Sequence, residues 1–130
     1  MRALFDTHTW LWYLRGSKRL SATHRRIIED ETTELWLSPI SIWEVHLLIE
    51  KGRMKVGEPP ATWIRNALHA LRVREAAITF AIARRSRSVG LQHDDPADRF
   101  IAATALEMKL TLLTEDERLV RCRELNCAGS

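Results

Sequence analysis

The chain of 130 residues contains few cysteines, few glycines and no long apolar segment. Its two cysteines, Cys122 and Cys127, have neither the spacing of a zinc site nor the number that a disulfide scaffold needs. A reducing compartment, the cytoplasm, is therefore the expected location. No run approaches the roughly 20 apolar residues of a membrane span, and no cleavage pattern of a secretory signal follows the mildly apolar start. We therefore expect no membrane association.

The scarcity of glycine has a second consequence, because no glycine-rich phosphate loop is present and nucleoside triphosphate hydrolysis of the P-loop kind is disfavoured. A hydrophobic content of 45% and a charged content of 28% are ordinary for a globular protein. The length favours one domain spanning residues 1–130. The net charge of +3 is only a weak indication of a polyanionic partner. Arg84, Arg85 and Arg87 form a basic group that either complements a helix end or contacts phosphate.

Short apolar segments alternate with segments of helical periodicity. Strands are predicted at residues 2–5, 34–38 and 110–114, with a further short strand at 71–73. Helices are predicted at 7–14, 22–30, 39–50, 61–70, 79–86 and 96–108, followed by a short helix around Leu119 and Val120. This alternation predicts an α/β fold with a parallel sheet and right-handed crossovers.

The segment from His93 to Met108 contains a carboxylate that helix capping does not explain. Asp95-Pro96 is typical of a helix start, with aspartate as the N-cap and proline at the first helical position. Asp98 follows in the first turn, where a negative charge interacts favourably with the helix dipole. However, Asp98 shares its helix face with Ile101 and Ala102, and this face is predicted to point to the core. A carboxylate buried there needs a partner.

Glu44 has a similar position in the helix predicted at 39–50. It lies on the apolar face of that helix, which also holds Ile40, Trp43 and Leu47. The alternative is a capping box with Ser41. We disfavour it because the serine and proline at positions 38 and 39 make a better helix start.

Asp6 and Asp116 each follow a predicted strand directly, and the carboxyl ends of parallel strands are where sites form. With Glu44 and Asp98 they can converge on one edge of the sheet. Clustered carboxylates raise one another's pKa and stay ionised together only beside cations. Arg99 is one candidate cation, and a hard divalent metal such as Mg²⁺ or Mn²⁺ is a stronger one. Such a metal activates water and stabilises the oxygens of a phosphodiester under attack.

Histidines and tryptophans offer weaker indications. His8 and His93 lie near the proposed site, but their spacing does not resemble a zinc pair; for His93 a loop hydrogen bond is favoured over catalysis. The tryptophans are mostly expected in the core. A partner interface formed by Trp10, Trp12 and Trp63 is the less favoured alternative.

Four segments together resemble the PIN-domain family, and most of all its VapC-type toxins: LFDTHTWLW, SPISIWEV, HDDPADRFIAATAL and LLTED. The resemblance covers nearly the whole chain. It implies a three-layer α/β/α fold around a parallel sheet and an endoribonuclease dependent on Mg²⁺ or Mn²⁺. It also implies RNA as the substrate, a small antitoxin that covers the site, and a toxin homodimer.

Matched by motif, the catalytic and metal-binding acids are Asp6, Glu44, Asp98 and Asp116. Asp95 is expected to cap its helix and support the site, and Thr114 matches a strand-end hydroxyl of the family. Arg99 is a candidate phosphate contact.

Two other functions stay open. One is a non-catalytic PIN-like module that binds RNA or protein, although such a module has no need of all four acids. The other is a phosphohydrolase with Asp6 as nucleophile, which is disfavoured because His8 stands where a second aspartate is expected. The tail CRELNCAGS predicts a poor final strand, which leaves the last edge of the sheet undecided.

Overall fold

A computed structural model describes residues 1–129 of the chain. Within this part, four strands alternate with seven helices. In chain order they are β1 (Arg2–Phe5), α1 (Thr7–Leu14), α2 (Ala22–Glu29), β2 (Glu34–Leu37), α3 (Pro39–Glu50), α4 (Pro60–Ala70), β3 (Arg74–Glu75), α5 (Phe80–Arg85), α6 (Pro96–Met108), β4 (Thr111–Leu113) and α7 (Glu117–Val120). None of the helices formed by these residues is long and apolar enough to cross a membrane.

The four strands form one sheet in the order β3-β2-β1-β4, and every pairing is parallel. Leu4 in the central strand β1 lies opposite Trp36 of β2 and Leu112 of β4. Strand β1 lies inside the sheet, between β2 and β4, so its carboxyl end is flanked by neighbouring strands and by the helices that cover the sheet. The predicted parallel α/β sheet is confirmed.

Helices cover both faces of the sheet, which makes the fold a three-layer α/β/α sandwich, as the family resemblance implies. Alternate residues of β1 enter two separate cores, with Ala3 and Phe5 in one and Leu4 in the other. Helices α1 to α4 contribute to the first core, and α6 and α7 contribute to the second. Burial on both faces explains why the strands are continuous apolar runs.

Side-chain caps begin five of the helices in residues 1–129. Each capping oxygen accepts a hydrogen bond from a backbone N–H of the first turn, which otherwise lacks a partner. The capping residues are Ser21, Ser38, Thr79, Asp95 and Asp116.

The prediction for β3 was wrong in position, because the strand is Arg74–Glu75 and not residues 71–73. The strand is located by its backbone pairing with Trp36 and Leu37 of β2. Both of its side chains are exposed at the edge of the sheet, where no apolar pattern is required. Leu71 and Val73 instead pack against the core on the approach to the strand.

The inward face of α3 was also predicted wrongly. Trp43 is 46% exposed, whereas the buried residues of this helix are Ser41 and Val45. The helix is apolar almost all round, so the periodicity of its side chains does not single out one face. Glu44 consequently lies at the border between buried and exposed positions.

The C-terminal tail pairs with β4 through a single bridge only, in agreement with the poor final strand expected from its sequence. The amide of Leu112 donates to the carbonyl of Asn126 (2.8 Å), and the amide of Ala128 donates to the carbonyl of Leu112 (3.0 Å). The result is an isolated parallel bridge between Leu112 and Cys127. This bridge covers the edge of the sheet beside β4.

Arg99 anchors the loop between α5 and α6. Its guanidinium donates to the backbone carbonyls of Ser86, Val89, Leu91 and His93 at 2.7–3.1 Å, and the residue is only 6% exposed. The structure therefore does not bring Arg99 to the carboxylates or to a position where it contacts phosphate. Its charge is used to hold four carbonyls that have turned inward.

We predict that Arg99→Met destabilises the fold by about 3 kcal/mol or more, because the carbonyls lose a charged donor inside the protein. The free energy of unfolding in urea measures the effect. Arg84→Met is the matched control: Arg84 is exposed at the end of α5, so its loss should change stability by about 0.5 kcal/mol or less. Equal losses in the two variants would contradict a structural role for Arg99.

Candidate active site

A cavity of about 270 Å³ opens at the carboxyl ends of β1 and β4. All four acids predicted to hold a metal line this cavity, together with Asp95. The complete lining is Asp6, His8, Trp12, Glu44, Asp95, Asp98, Glu115, Asp116 and Arg118. Four distant segments of the chain therefore meet here because the parallel strands end at one edge of the sheet.

Asp6 is the most deeply buried acid of the cavity. It occupies the N-cap position of α1, but its side chain makes no capping hydrogen bond. Its Oδ2 instead accepts a hydrogen bond of 2.7 Å from the hydroxyl of Thr114, and the residue is 6% exposed. Burial raises the pKa of Asp6 to about 6, although the Thr114 bond acts in the opposite direction. A carboxylate held like this is ionised cheaply only beside a cation.

Thr114 connects two of the acids. Besides donating to Asp6, its hydroxyl oxygen accepts a hydrogen bond of 3.0 Å from the amide of Asp116. The side chain is buried at the end of β4. Thr114, the strand-end hydroxyl expected from the family resemblance, thus links the end of β1 to the segment that follows β4.

Glu44 enters the cavity from α3. Burial raises its pKa, and the nearby hydroxyl of Thr7 partly offsets that effect. Thr7 is in turn hydrogen-bonded to the hydroxyl of Ser41 at 2.8 Å in a buried contact. Ser41 lies inside the helix and Ser38 is the N-cap, so Glu44 is not part of a capping box.

Asp98 enters from the first turn of α6. Its Oδ2 lies 2.9 Å from Nε2 of His93, and the residue is 8% exposed. Burial raises the pKa of Asp98, and the contact with His93 partly offsets the rise. Asp95 accepts from the amides of Ala97 and Asp98, which confirms it as the helix cap. The hydrogen bond of His93 therefore goes to a site carboxylate rather than to the loop.

Arg118 is the cation of the site, and the sequence reasoning missed it. Its Nε and Nη2 donate to the two carboxylate oxygens of Asp116 at 3.2 and 2.9 Å, and Nη2 lies 3.5 Å from Oδ2 of Asp98. This pairing lowers the pKa of Asp116. The available signal was its position two residues after a strand-end aspartate. Arg118 thus occupies the place that was expected for Arg99.

The basic group Arg84–Arg87 lies away from the cavity and contacts acids on the surface. Arg85 pairs with Glu107 at 3.1 Å and Glu124 at 3.7 Å. Arg87 lies 3.7 Å from Asp94. Of the two explanations weighed from the sequence, the structure supports surface charges at a helix end.

The donor set of the cavity fits a hard divalent cation, because it consists of carboxylate oxygens. Asp6 supports this assignment, since it is buried without a cation bonded to it. As they stand, however, residues 1–129 contain no group of three acidic, histidine or cysteine side chains drawn together tightly enough to enclose an ion. Arg118 engages both oxygens of Asp116 and would compete with an entering cation for this carboxylate.

Fold and site together define an α/β protein with a carboxylate-lined cavity at the carboxyl edge of a parallel sheet. The family model described as the PIN domain matches residues 3–125, and the chain belongs to this family. The family predicted from the sequence motifs is therefore confirmed.

Relatives with known descriptions agree with this assignment. The chain is 35% identical over 119 residues to Ribonuclease VapC22 of Mycobacterium tuberculosis (strain ATCC 25618 / H37Rv). The aligned region covers 89% of this chain and 88% of that protein. The structure of VapBC2 from Rickettsia felis, bound to a DNA fragment from its promoter, superposes with a TM-score of 0.74 at 16% identity and covers 98% of both chains. A toxin–antitoxin complex from Klebsiella pneumoniae gives 0.65 at 24% identity, covering 92% of this chain and 90% of that one. The two structures show the fold.

We predict that Asp6→Asn stabilises the metal-free protein in a pH-dependent manner. The pKa of Asp6 is about 6 in the folded state and 3.8 ordinarily, so the folded state binds this proton more tightly. The resulting stabilisation of the wild type is complete below about pH 4 and is lost as the pH rises through 6. In EDTA, the variant should gain on the order of 2–3 kcal/mol over the wild type between about pH 4 and pH 7.

Urea denaturation at several pH values measures this difference. Asp94→Asn serves as the control, because Asp94 is exposed in the same acidic segment and does not line the cavity. Its stability curve should run parallel to that of the wild type. A constant offset between Asp6→Asn and the wild type across the range would show that the Asp6 carboxylate carries no special cost.

Proposed function

We propose that the protein is a metal-dependent endoribonuclease that hydrolyses phosphodiester bonds of RNA and acts as the toxin of a toxin–antitoxin pair. The observation that carries the proposal is the meeting of Asp6, Glu44, Asp98 and Asp116 in one cavity. It is supported by the 35% identity to a ribonuclease over most of both chains. We propose Mg²⁺ or Mn²⁺ as the ion, because the four ligands are carboxylates.

The chain's own residues prepare the site for hydrolysis. A bound divalent ion would supply an activated water and neutralise charge on the phosphodiester. Thr114 holds one oxygen of Asp6, which leaves the other oxygen available as a ligand. His93 orients Asp98 in the same way. Arg118 provides a positive charge beside Asp116 and Asp98 that would favour the approach of a phosphate.

A non-catalytic binding module is the alternative, and the acids argue against it. Burying carboxylates such as Asp6 and Asp98 is costly without a cation, and a module that only binds RNA or protein has no use for this cost. Titration calorimetry with Mn²⁺ separates the two functions. Absence of any divalent-ion binding would favour the binding module.

We further propose a small antitoxin as a partner, a homodimer as the assembly and the cytoplasm as the location. Exposed aromatic side chains support a partner: Phe80 is 93% exposed and Trp43 is 46% exposed, and aromatics are enriched at interfaces. This surface, with Phe80 and Trp43, differs from the interface of Trp10, Trp12 and Trp63 that was considered from the sequence. Trp10 is fully buried and packs edge-on against Trp63, with ring centroids 6.4 Å apart.

We predict that Asp98→Asn lowers the rate of RNA cleavage by about 100-fold or more, because an amide is a poor substitute for a carboxylate ligand. Cleavage of a fluorogenic RNA is measured with Mg²⁺ or Mn²⁺ and again in EDTA, where the wild type should be inactive. Asp94→Asn removes the same charge four residues earlier, outside the cavity, and should cleave like the wild type. Unchanged cleavage by Asp98→Asn would refute the assignment of the site.

We predict that expression of the chain alone arrests bacterial growth, because unrestrained RNA cleavage is toxic. Coexpression with the small open reading frame beside its gene should relieve the arrest. The Asp98→Asn variant should be harmless in either case, whereas Asp94→Asn should still arrest growth. Colony counts after induction measure the outcome. Normal growth of cells that express the wild type alone would contradict the proposed toxin function.

A further inference from the structure

A second cavity, of about 330 Å³, adjoins the carboxylate cavity. It lies between the loop of residues 90–93 and the helix α7, and its other lining residues are Arg118, Arg121 and Cys122. Arg118 lines both cavities. His93, which bonds to Asp98, lines the second one. A chain molecule that passes through the carboxylate site can therefore continue across Arg118 into this second cavity.

Two carbonyls of the loop on one side of the second cavity are bound inside the protein, and the carbonyl of Gly90 lies 3.9 Å from Sγ of Cys122. Arg99 binds the carbonyls of Val89, Leu91 and His93 and does not itself line the cavity. Because a trans peptide is planar, with its C=O and N–H pointing in opposite directions, the N–H of Gln92 faces away from Arg99. Arg99 thus occupies the carbonyls of Leu91 and His93, which reduces the negative potential that the loop presents to an anion, and it holds the loop in that shape.

The other wall of the cavity carries two positively charged side chains, Arg118 and Arg121. Arg118 and Arg121 are 58% and 78% exposed. Arg121 pairs with Glu117, itself 77% exposed, at 3.0 Å, and an exposed pair of this kind holds its partners only weakly. The nearby acid Glu124 is already engaged, because it accepts from the amide of Gly90 and pairs with Arg85. Arg121 is therefore available to an anion, and Arg118 can offer its Nη1, which takes no part in the contacts with Asp116 and Asp98.

We propose that the second cavity is a subsite for a backbone phosphate of the RNA strand, next to the phosphodiester at the carboxylates, with Arg121 and Arg118 as its ligands. This proposal rests on the proposed ribonuclease function and specifies where the RNA strand lies on the protein. No phenylalanine, tyrosine or tryptophan lines it, so it lacks the large aromatic side chains of sequence-tolerant stacking grooves. Contacts to phosphate position the strand and carry no sequence information.

The test compares Arg121→Gln with Arg123→Gln. Arg123 is exposed two residues further on and does not line the cavity, so the two variants lose the same charge from the same segment. Binding of a fluorescein-labelled single-stranded RNA of about 12 nucleotides is measured by anisotropy in EDTA over a range of salt concentrations. Arg121→Gln should weaken binding about fivefold and reduce the slope of log K against log salt by about 0.7. Arg123→Gln should match the wild type.

Cleavage kinetics provide the second readout. Arg121→Gln should raise KM for the same RNA and leave kcat nearly unchanged, and it should have no effect on a dinucleotide too short to reach both cavities. Equal effects of the two variants, or no effect of either, would overturn the subsite. Failure of the wild type to cleave RNA would instead overturn the proposed function, and the binding comparison in EDTA would still decide whether the cavity takes an RNA phosphate.

Discussion

The cost of burying the carboxylate of Asp6 governs the arrangement of the whole carboxyl edge of the sheet. Asp6 ends the central strand, where helices on both faces exclude water. A charge in this position needs a hydrogen bond on one side and a cation on the other. Thr114 supplies the hydrogen bond from the neighbouring strand, and the remaining acids of the cavity turn the same place into a site for a divalent ion. The buried carboxylate of Asp6 therefore underlies both the proposed metal site and the cost in stability at this edge of the sheet.

Two arginines show how the surroundings decide what a side chain does. Arg99 is buried, and the carbonyls of the loop before α6 surround its guanidinium. Arg118 is largely exposed and donates to both carboxylate oxygens of Asp116. Arg99 holds the loop that forms one side of the second cavity, and Arg118 lines both the carboxylate cavity and the second cavity. The buried arginine neutralises two carbonyls of the loop beside the second cavity, and the exposed one lines that cavity.

Much of the fold could be predicted because local signals and global architecture agree. Serine or aspartate followed by proline marked the starts of α3 and α6, and the apolar runs marked β1, β2 and β4. The errors fall where no local pattern exists. The edge strand β3 has exposed side chains and is located by its backbone pairing with β2, and α3 is apolar on nearly every side. Backbone pairing is almost independent of side-chain type, so composition does not reveal it.

The order of the elements and the four acids at strand ends and helix starts were determined by the sequence itself, since periodicity, capping and the geometry of parallel sheets are local or topological rules. Only the tertiary structure decided which cation faces those acids. Arg99 and Arg118 carry the same charge and lie at similar distances in sequence from an aspartate of the site. What separates them is the direction in which each helix turns its side chain, and that direction depends on packing between elements far apart in the chain.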